Sequence, residues 1–183
     1  MKVIALFALC TMPVLAERIE LEMNPASTAV HWILGDVLHT VRGTFKLTTG
    51  KLWFDTENGK AGGQLIVDAT SGESGSGARD GRMHKSVLES GRYPAIVFVP
   101  DGVEGKVVRL GDSQVQLHGL FTIHGGAHEV RMNVKVHLEQ QRATAIASFT
   151  VPYVKWGMKD PSNFLLKVKD SVEISVNAES SIK

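Results

Sequence analysis

From Glu129 to Leu138, polar or charged side chains alternate with apolar ones at every position. Val130, Met132, Val134, Val136 and Leu138 fall on one side, and Glu129, Arg131, Asn133, Lys135 and His137 fall on the other. A period of two belongs to the β-strand, so this segment must turn one face to an apolar interior and the other to water. The pattern recurs along the chain. Ile19, Leu21 and Met23 alternate with Glu20, Glu22 and Asn24. Val115, Leu117, Phe121 and Ile123 share a face opposite Gln114, Gln116, His118 and Thr122, and Val172, Ile174, Val176 and Ala178 oppose Glu173, Ser175 and Asn177. Many two-faced strands in one chain predict an all-β fold, an antiparallel sheet curled around its own interior as a barrel of about eight to ten strands. Closure removes the exposed strand edges that invite aggregation.

With 183 residues, 43% of them hydrophobic, the chain is long enough for one domain, and no shift in composition marks a second. That domain is expected over residues 17–183. Residues 1–16 differ in kind: Lys2 supplies a basic start, Val3 to Leu9 an apolar stretch, and Val14-Leu15-Ala16 a small-residue cleavage site. This is the pattern of a secretory signal peptide, too short to span a bilayer. Leu9 stands where a lipoprotein cleavage box needs a small residue, so Cys10 is not read as a lipid anchor.

Cleavage would remove Lys2 and no acid, making the 20 Lys and Arg equal in number to the 19 Asp and Glu. A neutral chain lacks the excess of positive charge that nucleic acid binding uses, so no nucleic acid partner is expected. The single cysteine also goes, which leaves burial and sheet hydrogen bonds to hold the fold and no thiol chemistry.

Further strands are expected on either side of a bend at Gly35, in a hairpin about Glu57-Asn58-Gly59, at Ala95–Val99, at Lys106–Leu110, at Ser113–His124 before a Gly125-Gly126 turn, at Arg142–Val151 and at Asp170–Ala178. The stretch Thr70–Gly77 is too glycine-rich for a strand. It leads into a short helix from Asp80, read as its N-cap, to Leu88, with Met83, Val87 and Leu88 on one side. A connection this long in a compact domain points to function, and with the irregular segment 152–169 it is placed to cover one mouth of the barrel.

The inward apolar set expected to line the interior is Phe45, Leu52, Phe54, Leu65, Val67, Met83, Ile96, Phe98, Leu117, Met132, Val134, Ala145, Phe149, Trp156 and Ile174. Alternation alone does not distinguish a filled barrel from a hollow one. The alanine face Ala143, Ala145 and Ala147 leaves room and favours a hollow one. Arg79, Arg82, His84 and Lys85 form the densest basic cluster, suited to a carboxylate or phosphate headgroup; the competing reading is a solvated helix face with Asp80 paired to Arg82 or Lys85. No Gly-x-Ser-x-Gly elbow occurs, and the seven histidines show no ligand spacing, so no catalytic residues, no metal and no cofactor are assigned. An enzymatic alternative pairs His84 with Asp80 or Glu89, and a structural module with a protein partner is a further one. Trp32, Trp53, Trp156 and Tyr153 suit ligand stacking or rim packing.

Several motifs in order resemble the YceI-like family: His39-Thr40-Val41-Arg42-Gly43-Thr44-Phe45, Arg79-Asp80 with Met83-His84, Tyr93-Pro94-Ala95-Ile96-Val97-Phe98, Leu120-Phe121-Thr122-Ile123-His124-Gly125 and Gly157. The resemblance implies an extended lipocalin-like barrel, exported to the periplasm of Gram-negative bacteria, that carries a polyisoprenoid, fatty-acid-like or other long-chain amphiphile without enzymatic chemistry. It leaves the oligomeric state open, with a homodimer allowed. Tyr153 and Lys155 depart from the Arg and acid that often precede the late glycine in the family, and Ser76-Gly77-Ala78 replaces a frequent Asn.

Overall fold

The computed structural model describes residues 18–35, 40–164 and 167–183. The segment 1–16, read as an export signal, lies outside the described residues, as do His39 of the first family motif and the bend that follows Gly35. The strands are β1 (Arg18–Met23), β2 (Ala29–Gly35), β3 (Thr40–Asp55), β4 (Ala61–Glu73), β5 (Ala95–Glu104), β6 (Gly111–Ile123), β7 (Gly126–Leu138), β8 (Arg142–Val151) and β9 (Val172–Ile182). All ladders are antiparallel, each strand from β3 to β9 pairing with the next.

The circuit closes through β1 and β2, which share a single place between β3 and β9. Arg18–Glu22 pair with 51–55 at the end of β3, while Ala29–Gly35 pair with 40–46 at its start, and both also pair with β9. The Asn24–Thr28 break therefore interrupts one strand position without reversing it; Asn24 caps the turn by accepting the Ala26 N–H at 3.0 Å. The result is a closed eight-position antiparallel barrel with one short helix.

Alternation becomes orientation as expected. Val130, Met132, Val134, Val136 and Leu138 are all buried, and Arg131, Asn133 and Lys135 between them are exposed. The β6–β7 hairpin turns on His124 and Gly125, one residue earlier than expected, with φ of 51° and 75°. Positive φ at both central residues is the type I′ geometry whose twist matches that of the flanking strands.

Three local expectations are corrected. Lys106–Leu110 is a connection at the end of the barrel away from the helix; Val107 packs into the barrel, and the Val108 N–H turns to Ser113 Oγ at 2.9 Å. Strand β4 continues through Thr70 to Glu73. Gly72 serves packing there, since a Cβ would come within 2.4 Å of Phe45 Cε1 and 2.8 Å of Met83 Cε. The helix starts at Gly77, not Asp80, as α1 (Gly77–Arg82), and passes into a π-helical turn at Met83–Val87 closed by Leu88 N–H to Met83 O at 2.9 Å.

Candidate ligand cavity

Many inward side chains are only half-buried. Leu65, Val67, Leu117, Ala145, Ala147, Phe149, Ile174 and Val176 lie on the inner face yet keep accessible surface. In a filled barrel these positions would be among the most buried of the chain, so the exposed area marks an internal void. That void is a cavity of about 600 Å³. Phe45, Leu52, Phe54, Leu65, Val67, Met83, Ile96, Phe98, Leu117, Met132, Val134, Ala145, Phe149 and Ile174 all border it. Trp32, Phe121, Tyr153, Met158 and Val176 border it too. Phe121 and Val176 belong to alternating faces already visible in the sequence; Tyr153 and Met158 sit in an irregular segment with no period to find them by.

Trp156 does not border the cavity. Its ring lies flat on that of His128, with centroids 4.0 Å apart and planes 2° from parallel, and packs against the core cluster with Phe121 at 6.0 Å. His128 has the inward parity of Val130 and lies two residues after the start of β7, so the stacked pair sits beside the β6–β7 turn. At the far end Leu138 and Ala143 are 1% and 2% exposed and plug the barrel between β7 and β8.

At the other end the helix crosses the mouth. Met83, Val87 and Leu88 turn inward together, and Arg79 and Arg82 border the cavity beside them. Arg79 is fixed: its Nε donates to Ser74 Oγ at 2.7 Å and its Nη2 to Ser74 O at 2.9 Å. Burial pulls the Asp80 carboxyl upward, but hydrogen bonds from Ser74 and the charge of Arg79 outweigh it and hold it below the usual range. Asp80 is thus the partner of Ser74, not of Arg82 or Lys85. The Arg82 side chain is exposed and enters no hydrogen bond or ion pair among the described residues.

His84 and Lys85 do not join the cavity lining. His84 Nε2 lies 2.8 Å from Gly72 O and Nδ1 2.9 Å from Ser90 Oγ. A carbonyl only accepts, so Nε2 carries the proton and Nδ1 faces the hydroxyl. Both ring nitrogens are engaged, Nε2 tying the helix to β4 and Nδ1 tying it to Ser90 in the segment that follows, and Glu89 is bound elsewhere, to His124 Nε2 at 2.6 Å. The acid–base pair that an enzymatic reading would build on His84 is not assembled. Among the described residues no group of three or more His, Cys, Asp and Glu is placed to hold a metal ion.

Tyr153 ties the β8–β9 connection to the barrel, its hydroxyl donating to Lys169 O at 2.8 Å. Burial, with the nearby charges of Asp160 and Asp170, pushes its pKa up to about 12. The folded state therefore keeps a proton that the unfolded chain releases near pH 10, and stability contributed by Tyr153 is present below pH 10 and lost as pH rises toward 12. Tyr153→Phe should cost about 0.5–1.5 kcal/mol at neutral pH. Denaturation at several pH values should show the two proteins converging above about pH 10.

Together these features define a hollow antiparallel β-barrel with an apolar cavity and a cationic rim. A model of the YceI-like domain matches residues 21–180, and the chain belongs to that family. Solved structures share the fold at low identity. BcnA of Burkholderia cenocepacia superposes with a TM-score of 0.72 at 17% identity, covering 86% of this chain and 98% of that one. A polyisoprenoid binding domain from Saccharophagus degradans, implicated in plant cell wall breakdown, gives 0.69 at 14% identity, covering 89% and 98%. The YceI protein of Campylobacter jejuni gives 0.58 at 11% identity, covering 100% and 94%. No curated protein matches the chain. Among the described residues no helix is long and apolar enough to cross a membrane.

Proposed function

We propose that the protein is a periplasmic carrier that holds one long-chain amphiphile, a polyisoprenoid or fatty-acid-like lipid, with its tail in the barrel and its polar end at Arg79 and Arg82. The observation that carries this reading is the 600 Å³ cavity with apolar walls and two arginines at its edge. Such a volume accommodates on the order of twenty groups the size of a water molecule or methylene. At about 0.8 kcal/mol per buried CH₂, a tail of ~15 methylenes contributes ~12 kcal/mol before ordering costs, so the tail supplies affinity and the rim selects the headgroup. Membership of a family that is generally non-catalytic supports a carrier over an enzyme.

Native mass spectrometry of protein purified without detergent, followed by organic extraction, tests the reading. One bound species per chain with a long apolar tail is expected. A protein that stays empty when long-chain lipids are offered contradicts it. The pair Arg79→Ala with Arg82→Ala should lower affinity for a fatty acid by about tenfold and leave that for the matching alcohol unchanged. Equal losses for acid and alcohol would remove the arginines from the headgroup site.

A further inference from the structure

We propose that the hydrogen bond between Glu89 and His124 is the latch of a lid, holding the helix over the barrel mouth and yielding when the ligand enters or leaves. This rests on the carrier reading and adds how the cavity opens. Among the described residues only Glu89 (φ 46°) and His124 (φ 51°) have a positive φ without being glycine. They are bonded to each other, Oε2 to Nε2 at 2.6 Å, although 35 residues apart. Side chains held in this sparsely populated backbone region collect at clamps and switches, where the surrounding structure sustains the strain.

At each of these positions a different residue would serve the backbone better. Glu89 follows Leu88, the C-cap of the helical turn, and the Ser90 N–H closes back onto His84 O at 3.0 Å. That closure is one residue wider than a Schellman cap because the preceding turn is π-helical, and the left-handed position of such a cap usually holds glycine or asparagine. His124 stands at the first central position of the type I′ turn, where asparagine or glycine is favoured. Backbone geometry accounts for neither side chain, whereas their mutual bond accounts for both. A carboxylate only accepts, so His124 Nε2 donates. Tyr93 completes the contact: its ring centroid lies 4.8 Å from that of His124, and a Cβ on Gly125 would fall 2.6 Å from Tyr93 Cε1.

The helix is tied to the end of β4 by Arg79 and His84, and Glu89 ties it to the β6–β7 turn. Between these ties it is lightly held, since no side chain from Gly77 to Val87 is fully buried. Just beyond the latch, Gly91 has nothing within 4 Å of where a Cβ would stand. The Arg92 and Tyr93 N–H groups reach back across Gly91 to Glu89 O at 2.8 and 2.9 Å. Opening at Gly91 breaks these two bonds together with the latch and lifts Met83, Val87 and Leu88 from the cavity they border. A segment with few buried contacts beside a small, unpacked residue is where such a motion is absorbed.

The test uses the protein, its Glu89→Asn and His124→Asn variants and the double variant, with a pyrene-labelled fatty acid as probe. Asparagine suits a positive φ at both places, so each substitution removes the bond and keeps the backbone. Each single variant should release bound probe into excess unlabelled fatty acid about tenfold faster and take it up correspondingly faster, with Kd within about twofold of wild type. The Arg92 and Tyr93 amides should exchange with solvent about tenfold faster, while those of Met132 and Val134 in β7 keep the wild-type rate. The double variant should match the singles, because all three lack the same bond. Wild-type probe release or wild-type exchange of the two amides in either single variant, or a double variant in which the two effects multiply, overturns the latch. Faster exchange of those amides in a protein that binds no probe upholds the latch and counts against the carrier reading instead.

Discussion

Ala145→Phe is expected to abolish lipid loading while leaving the protein folded. Ala145 sits in the middle of the alanine face of β8, paired across the sheet with Val136 and Ala178, and it borders the cavity together with Ala147. A benzyl group there takes the space of roughly six chain carbons, which at about 0.8 kcal/mol each corresponds to a loss of 100-fold or more in affinity. Because the ring enters a void, thermal stability should hold or rise. Ala143→Phe, two residues away on the same face, is the contrast: Ala143 is 2% exposed and does not border the cavity. Overpacking there should cost about 1–3 kcal/mol. Titration with a fluorescent fatty acid and thermal unfolding of both variants separate a hollow interior from a filled one. If the two variants behave alike, the cavity assignment is wrong.

Leu138→Ala should be among the most destabilising substitutions of a single apolar side chain, at about 2–5 kcal/mol. Leu138 is 1% exposed in the cluster with Leu21, Phe54, Ala61, Val136 and Ala143 that plugs the far end. Leu117, on the neighbouring strand, faces the cavity, so its truncation forfeits fewer contacts and enlarges a void that already exists. Leu117→Ala in the empty protein should therefore cost less than half as much. Denaturant unfolding with unchanged m-values checks this, and equal costs would mean that Leu117 is as tightly packed as Leu138.

The contrast between those two leucines also shows how far the sequence could be read. Both stand on alternating faces, and alternation reports the direction of a side chain, not what it meets. Strand β7 was therefore legible in every residue from Glu129 to Leu138, and so were most cavity walls. The shared place of β1 and β2 was not legible, because it is set by pairing with β3 and β9, which lie far along the chain. Glycine content hid the end of β4, since Gly72 is demanded by Phe45 on the paired strand β3 and Met83 of the helical turn rather than by a turn of its own.

At the mouth the sequence grouped four basic residues that the structure separates. Helical spacing itself puts Arg79, Arg82 and Met83 on one side, with His84 and Lys85 turned from it. His84 is drawn to Gly72 O and Ser90 Oγ, partners that no local pattern announces. Trp156 stays off the cavity wall for a similar reason: its place is decided by stacking on His128, far away in sequence.

The most direct test of the carrier account is a chain-length series. Saturated fatty acids of increasing length, titrated calorimetrically into delipidated protein, should bind one per barrel and gain about fourfold in affinity per added methylene. The gain should stop when the 600 Å³ cavity is full. Ala145→Phe should move that limit to shorter chains. Affinity that is absent, or that does not depend on chain length, would contradict the claim that the interior of this barrel is a lipid site.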